Sequence, residues 1–205
     1  MIEATNIMKS YGDRIVLNNI NAKIDTGDFV AITGESGKGK TTLLNILGLL
    51  DLAQTGKIII DGVENPTKKQ IMLLQRNMFG YIFQNYALIE NDTVENNLKI
   101  ALAYKKNINK KETINRSLGF VGLEDLLNKK IYELSGGEQQ RVAVARAHAK
   151  DASYLFADEP TGNLDKNNAD IVFGFLKQLN DMGKTVIFVT HDVTYASEAR
   201  NIIKL

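Results

Sequence analysis

Two hydrophobic rhythms run along the chain. Short segments such as "DFVAIT" (28–33), "SYLFAD" (153–158) and "KTVIFVT" (184–190) are apolar almost throughout. That pattern reads as inner strands of a parallel sheet, buried on both faces. Longer segments repeat apolar residues every three or four positions and read as helices: "KTTLLNILGLL", "KKQIMLLQRN", and "NADIVFGFLKQLNDMG" ending at Gly183. "IEATNIMKSY" and "RIVLNNINAKI" read as strands around the turn Tyr11-Gly12-Asp13. "GKIIIDG", "MFGYIFQ" and "NIIKL" read as further strands, and "VTYASEAR" as a short helix. Residues 93–149 are mostly helical by period, most clearly in "NINKKETINRSLGFVGLEDLL".

Strands alternating with helices predict an α/β fold with a mostly parallel sheet and helices on both faces. The chain is read as one domain, 1–205. Its core is roughly 1–92 and 150–205, opening with an antiparallel β subdomain. A helical subdomain, roughly 93–149, is inserted into it.

Composition narrows the function. The 25 basic and 24 acidic residues leave a formal net charge of +1, so no basic field points to nucleic acid. The absence of cysteine removes disulfides, thiolate zinc sites and a cysteine nucleophile, and fits a reducing cytosol. No apolar run has the length of a membrane span, and the N-terminus lacks a signal pattern. A cytoplasmic protein is expected, able to dock on a membrane protein.

"GESGKGKTT", Gly34 to Thr42, lies between a predicted strand and a predicted helix and matches Gly-x-x-x-x-Gly-Lys-Thr. Gly34, Gly37 and Gly39 permit a curled loop whose amides, with those of Glu35, Ser36 and the helix start through Thr42, face phosphate oxygens. Lys40 adds a point charge, and the Thr41 hydroxyl suits Mg²⁺. Lys38 has two placements, as a second cation on phosphate or facing solvent. The second is favoured because the loop turns its amides inward. The expected fold is therefore a phosphate-loop NTPase core.

"SYLFADEP" ends a buried strand with Asp158 and Glu159, where ligands of open α/β sheets sit. Asp158 is placed to approach Mg²⁺, and Glu159 to accept a proton from an attacking water. In "LSGGEQQRVAVARA", Ser135, Gly136, Gly137 and Glu138 open a helix whose apolar face runs through Val142, Val144 and Ala145. Its N-terminus reads as a second anion site with a serine donor.

With these motifs in order, the whole chain resembles the ATP-binding subunit of ABC transporters; "LSGGEQQR" looks like the signature that separates this family from other phosphate-loop ATPases. The resemblance implies further roles. Tyr11 stacks on adenine. Gln84 in "YIFQNYALI" touches Mg²⁺ and senses the transmembrane partner. "TGNLD", with Asp165, crosses to the opposite subunit. His191 in "VTHD" contacts the γ-phosphate and positions Glu159. His148 matches no motif and is read as structural. The implied cofactors are ATP and Mg²⁺. The implied partners are a transmembrane permease and a second ATPase copy, or a homologue, paired head to tail through ATP on the inner face of the membrane.

"ADEPTGNLD", "GLLD" and the "ENN" after "DTV" resemble the branch serving macrolide, lipoprotein, antimicrobial-peptide and bacteriocin systems. The expected activity is ATP hydrolysis coupled to a membrane partner, for export of or resistance to a peptide, bacteriocin or hydrophobic compound. The alternative is a regulatory ATPase of a cell-division or lipoprotein-release complex. Lys38, Lys166 after "TGNLD" and the ending "NIIKL" depart from the family pattern.

Overall fold

The computed structural model describes residues Met1 to Leu205. Two sheets are present. Strands β1 (Ile2–Tyr11), β2 (Arg14–Ile24), β4 (Thr55–Ile60) and β5 (Val63–Glu64) form an antiparallel sheet in the order β2-β1-β4-β5. Strands β3 (Phe29–Thr33), β6 (Phe79–Ile82), β7 (Tyr154–Asp158), β8 (Thr185–Val189) and β9 (Asn201–Lys204) form a parallel sheet in the order β6-β7-β8-β3-β9.

Successive side chains of a strand point to opposite faces, so each inner strand feeds two cores. Val30 and Ile32 of β3 join Phe156, Ile187 and Val189 beneath α1 (Lys40–Leu47), α2 (Lys68–Asn77) and the antiparallel sheet. Phe29 and Ala31 join Leu155, Ala157 and Phe188 on the other face. That face is covered by α3 (Val94–Ala101), α4 (Lys110–Val121), α5 (Gly136–Lys150), α6 (Lys166–Asp181) and α7 (Val193–Ser197). Burial on both faces is why these strands read as continuous apolar runs.

Two element readings are corrected at their ends. The helix expected over 40–50 stops at Leu47. Gly48 caps it and Leu49 takes a left-handed φ of 56°, turning the chain out of helix. The 93–149 block is mostly helical, as read, in three helices with 3₁₀ turns at Glu124–Leu126 and Ile131–Glu133 between α4 and α5. Gly122 ends α4 in the left-handed conformation that glycine adopts readily. The helix in "VTYASEAR" covers only Val193–Ser197. No helix is long and apolar enough to cross a membrane.

Candidate functional site

The strand order assembles the site. β6, β7, β8 and β3 are parallel neighbours, so their carboxyl ends share one edge. Gln84 follows β6, Asp158 and Glu159 end β7, His191 follows β8, and Gly34 follows β3.

Of the seven α-helices, only α1 begins without a side-chain cap. Its N-cap is Gly39, at φ 92°, and no acidic residue lies in its first turn. The first amides of a helix need partners, and an anion is the natural one. A β-carbon on Gly39 would stand 2.8 Å from Val16 Cγ1 and 2.9 Å from the Val16 carbonyl oxygen, so the loop must be glycine there. Lys40 turns back into the loop, its Nζ donating to the carbonyls of Gly34 (2.9 Å) and Glu35 (3.0 Å). Phosphate oxygens are stronger partners for that ammonium than these neutral carbonyls. The cleft above has a volume of about 350 Å³ and is bounded by Tyr11, Arg14, Ser36, Thr42 and Glu159. Lys38 pairs with Glu35 at 3.7 Å, with both side chains exposed, which is the solvent-facing placement.

Thr41 Oγ1 donates to Asp158 Oδ1 at 2.9 Å. Burial raises the Asp158 pKa, with the Thr41 hydrogen bond and the Lys40 charge opposing the rise. A hydroxyl beside a carboxylate is a hard-oxygen pair of the kind Mg²⁺ takes when phosphates complete its shell. No cluster of three or more His, Cys, Asp or Glu side chains forms a cage without them. The donor set thus fits Mg²⁺ carried with a nucleotide. Glu159 takes a φ of 43°, costly for a residue with a β-carbon. Its carboxylate lies 3.0 Å from His191 Nδ1.

Gln84 makes no hydrogen bond to Thr41. Its Nε2 donates to Asn163 Oδ1 (3.1 Å), and Asn163 Nδ2 returns a bond to the Gln84 carbonyl (3.1 Å). Tyr11 lies exposed at the cleft rim, its hydroxyl donating to Asp51 Oδ2 at 2.7 Å. That bond is the main reason the phenol pKa is raised.

Ser135 to Glu138 do not line the phosphate cleft of their own chain. They form a capping box: the Ser135 amide and hydroxyl both donate to Glu138 Oε2, at 2.8 and 2.7 Å. Those bonds hold the Glu138 pKa low. The serine hydroxyl, read from the sequence as a donor to an anion, is engaged here by its own helix. Gly136 and Gly137 are tightly approached. A β-carbon would stand 2.9 Å from the Tyr86 hydroxyl at the first and 2.5 Å from Asn168 Oδ1 at the second. Asp165 caps α6, accepting from the Asn168 amide at 3.0 Å, and its pKa is lowered by that bond and by the Asn168 side chain. Lys166 pairs with Asp170 at 2.8 Å on the exposed face of α6.

Sequence reasoning passed over four contributors. Arg14 donates to the Gly37 carbonyl at 3.1 Å. Asp51 holds Tyr11, and Asn163 holds Gln84. The fully buried Gln140 donates to the Pro160 carbonyl at 2.6 Å, beside the strained Glu159. Asp51, Asn163 and Gln140 lie inside "GLLD", "TGNLD" and "LSGGEQQR"; nothing local marks Arg14.

The family model described as ABC transporter matches residues 17–162. An uncharacterized ABC transporter ATP-binding protein of Methanocaldococcus jannaschii is 42% identical over all of this chain and 95% of its own length. The macrolide export ATP-binding/permease protein MacB of Neisseria gonorrhoeae is 40% identical over all of this chain, which spans only 33% of that protein. Among solved structures, the dimeric MJ0796 ABC transporter cassette superposes with a TM-score of 0.91 at 37% identity, covering 100% of this chain and 94% of that one. The same cassette in a post-hydrolysis state with ADP and Pi superposes equally well, at 36% identity. The uncapped α1 loop, the paired strand-end carboxylates and these likenesses agree: the chain belongs to the ABC transporter family, as one of its ATP-hydrolysing cassettes.

Proposed function

We propose that two copies of this chain, or one copy and a homologous cassette, hydrolyse ATP between them. Their cycle drives a transmembrane partner that exports a peptide, bacteriocin or hydrophobic compound. The observation that carries the nucleotide reading is the uncapped N-terminus of α1 under a loop closed by Lys40. The separation of Ser135–Glu138 from that cleft supports a shared site, because each cleft then needs a signature from elsewhere.

The residues divide the work. Tyr11 stacks on adenine at the rim. The amides of Gly34 to Thr42 hold the phosphates, and Lys40 exchanges its carbonyls for phosphate oxygens. Thr41, Asp158 and Gln84 hold Mg²⁺, which when bound neutralises phosphate charge. Glu159 takes the proton of the attacking water. His191 orients that carboxylate through its 3.0 Å contact and turns its other edge to the γ-phosphate. Ser135, Gly136, Gly137 and Glu138 of the opposite copy close over the phosphates, and Asp165 stands at the junction. Segment 93–149 acts as a helical subdomain that carries the signature.

An apolar groove of about 490 Å³ supports a membrane partner. Exposed Leu50, Met72, Ile100 and Tyr104 border it, together with Phe83 beside Gln84. A cytoplasmic segment of the permease seated there packs on Phe83, the sequence neighbour of Gln84, with the cassette held at the inner face of the membrane. The export cargo follows the MacB-like relatives. The test is capture of tagged Glu159→Gln protein from native membranes with ATP and Mg²⁺. Co-purification of an export permease is expected. A division-site or lipoprotein-release membrane protein would replace export with the regulatory role, and soluble partners alone would sink the transport reading.

A further inference from the structure

Gln84 and Asn163 are bound to each other twice, at 3.1 Å each way, across 79 positions of sequence. The chemistry of the partners dictates which amide atom is which. A backbone carbonyl only accepts, so the atom of Asn163 facing the Gln84 carbonyl is its nitrogen. The Asn163 oxygen then faces the Gln84 side chain, and only the Gln84 nitrogen can bond to it. Gln84 Oε1 is left on the opposite side of its amide. Gln84, Asn163 and Asp158 line one cavity of about 420 Å³. Gly162 lets the amide lie close: a β-carbon there would stand 3.1 Å from Gln84 Nε2.

We propose that Asn163 is the positioning residue that presents the oxygen, not the nitrogen, of the Gln84 amide to the metal side of the site. The inference rests on the reading above of Gln84 as a ligand of Mg²⁺. A hard cation takes an amide oxygen and is repelled by the NH₂ group. An untethered glutamine at a strand end presents either. With Asn163 in place, one orientation alone satisfies both amides.

The test uses Mn²⁺ as the metal probe, its binding followed by electron paramagnetic resonance on Glu159→Gln protein with ATP. Asn163→Ala is expected to weaken Mn²⁺ roughly three- to tenfold, the range of one hydrogen bond. Asn163→Leu, close in size, should do the same. ATP affinity in chelator should stay unchanged in both. Gln84→Glu supplies an oxygen at either position, so in that background Asn163→Ala should have no effect on Mn²⁺. A general structural role for Asn163 weakens both backgrounds alike and overturns the proposal. An unchanged affinity in the Gln84 background overturns it as well. Gln84→Ala separates the two readings. If it leaves Mn²⁺ binding intact, Gln84 is no ligand and the proposal falls with that reading. If it weakens binding while Asn163→Ala does not, only the role of Asn163 is lost.

Discussion

His191 and Glu159 meet across the ends of two neighbouring parallel strands, Nδ1 lying 3.0 Å from Oε2. The carboxylate side chain is only 16% exposed, whereas the imidazole is 71% exposed. The carboxylate is thus sheltered while the ring bonded to it is open to solvent. Glu159→Gln preserves shape and removes basicity, so phosphate release should fall by about 10²–10⁴-fold, the usual contribution of a general base. ATP binding should persist and a dimer should accumulate. His191→Ala should lower the rate with little change in ATP affinity. Turnover retained in Glu159→Gln would assign the proton transfer to another group.

Lys40 and Gly39 act on the same loop by different physics. Lys40→Ala removes the charge but leaves the backbone free, so ATP affinity measured by calorimetry should drop while the melting temperature without ligand stays near that of the parent. Gly39→Ala puts a β-carbon where the φ of 92° and Val16 forbid one. It should lower the melting temperature without ligand as well as ATP affinity, with a cost of about 1–3 kcal/mol for a strained backbone position. Equal unliganded stability in both variants would contradict the steric account.

Ser135→Arg separates binding from pairing. Ser135 lies outside the phosphate cleft of its own chain, so ATP binding by the monomer should be spared. Association in the Glu159→Gln background, followed by light scattering, should be blocked by the bulk and charge. The lost capping box should also cost about 1 kcal/mol of stability. Normal association would argue against a site shared between copies.

His148 supplies a pH prediction. Its ring stacks on Phe120 at 4.5 Å and 9°, and its Nδ1 lies 2.9 Å from Ser117 Oγ. Ser117 already donates to the Thr113 carbonyl, so Nδ1 is the donor in this pair. Burial lowers its pKa, the Arg116 and Lys184 charges lower it further, and Asp151 opposes them. In the unfolded chain the ring takes a proton near 6.5; in the folded chain it takes one only at lower pH. Its stability contribution is therefore full above about 6.5 and lost as the pH falls below that value. Chemical denaturation from pH 7.5 to 5 should show a smaller loss for His148→Leu than for the parent. Parallel curves would place the acid sensitivity elsewhere.

What the chain shows by itself is local. The phosphate loop, the DE pair at the end of β7 and the capping box at Ser135 are contiguous stretches whose chemistry follows from spacing. The buried strands declare themselves because covering both faces leaves no polar alternation. Even the readings that needed correction failed at ends, as where Gly48 redirects the backbone. Tertiary structure alone decided the rest. It set Asn163 against Gln84, Gln140 against Pro160, and the Arg146 guanidinium against the carbonyls of Tyr86 and Ala87, both at left-handed φ. These contacts depend on the order β6-β7-β8-β3, which places strands from distant parts of the chain side by side. Periodicity reports which face of an element is buried; it does not report which element lies against it.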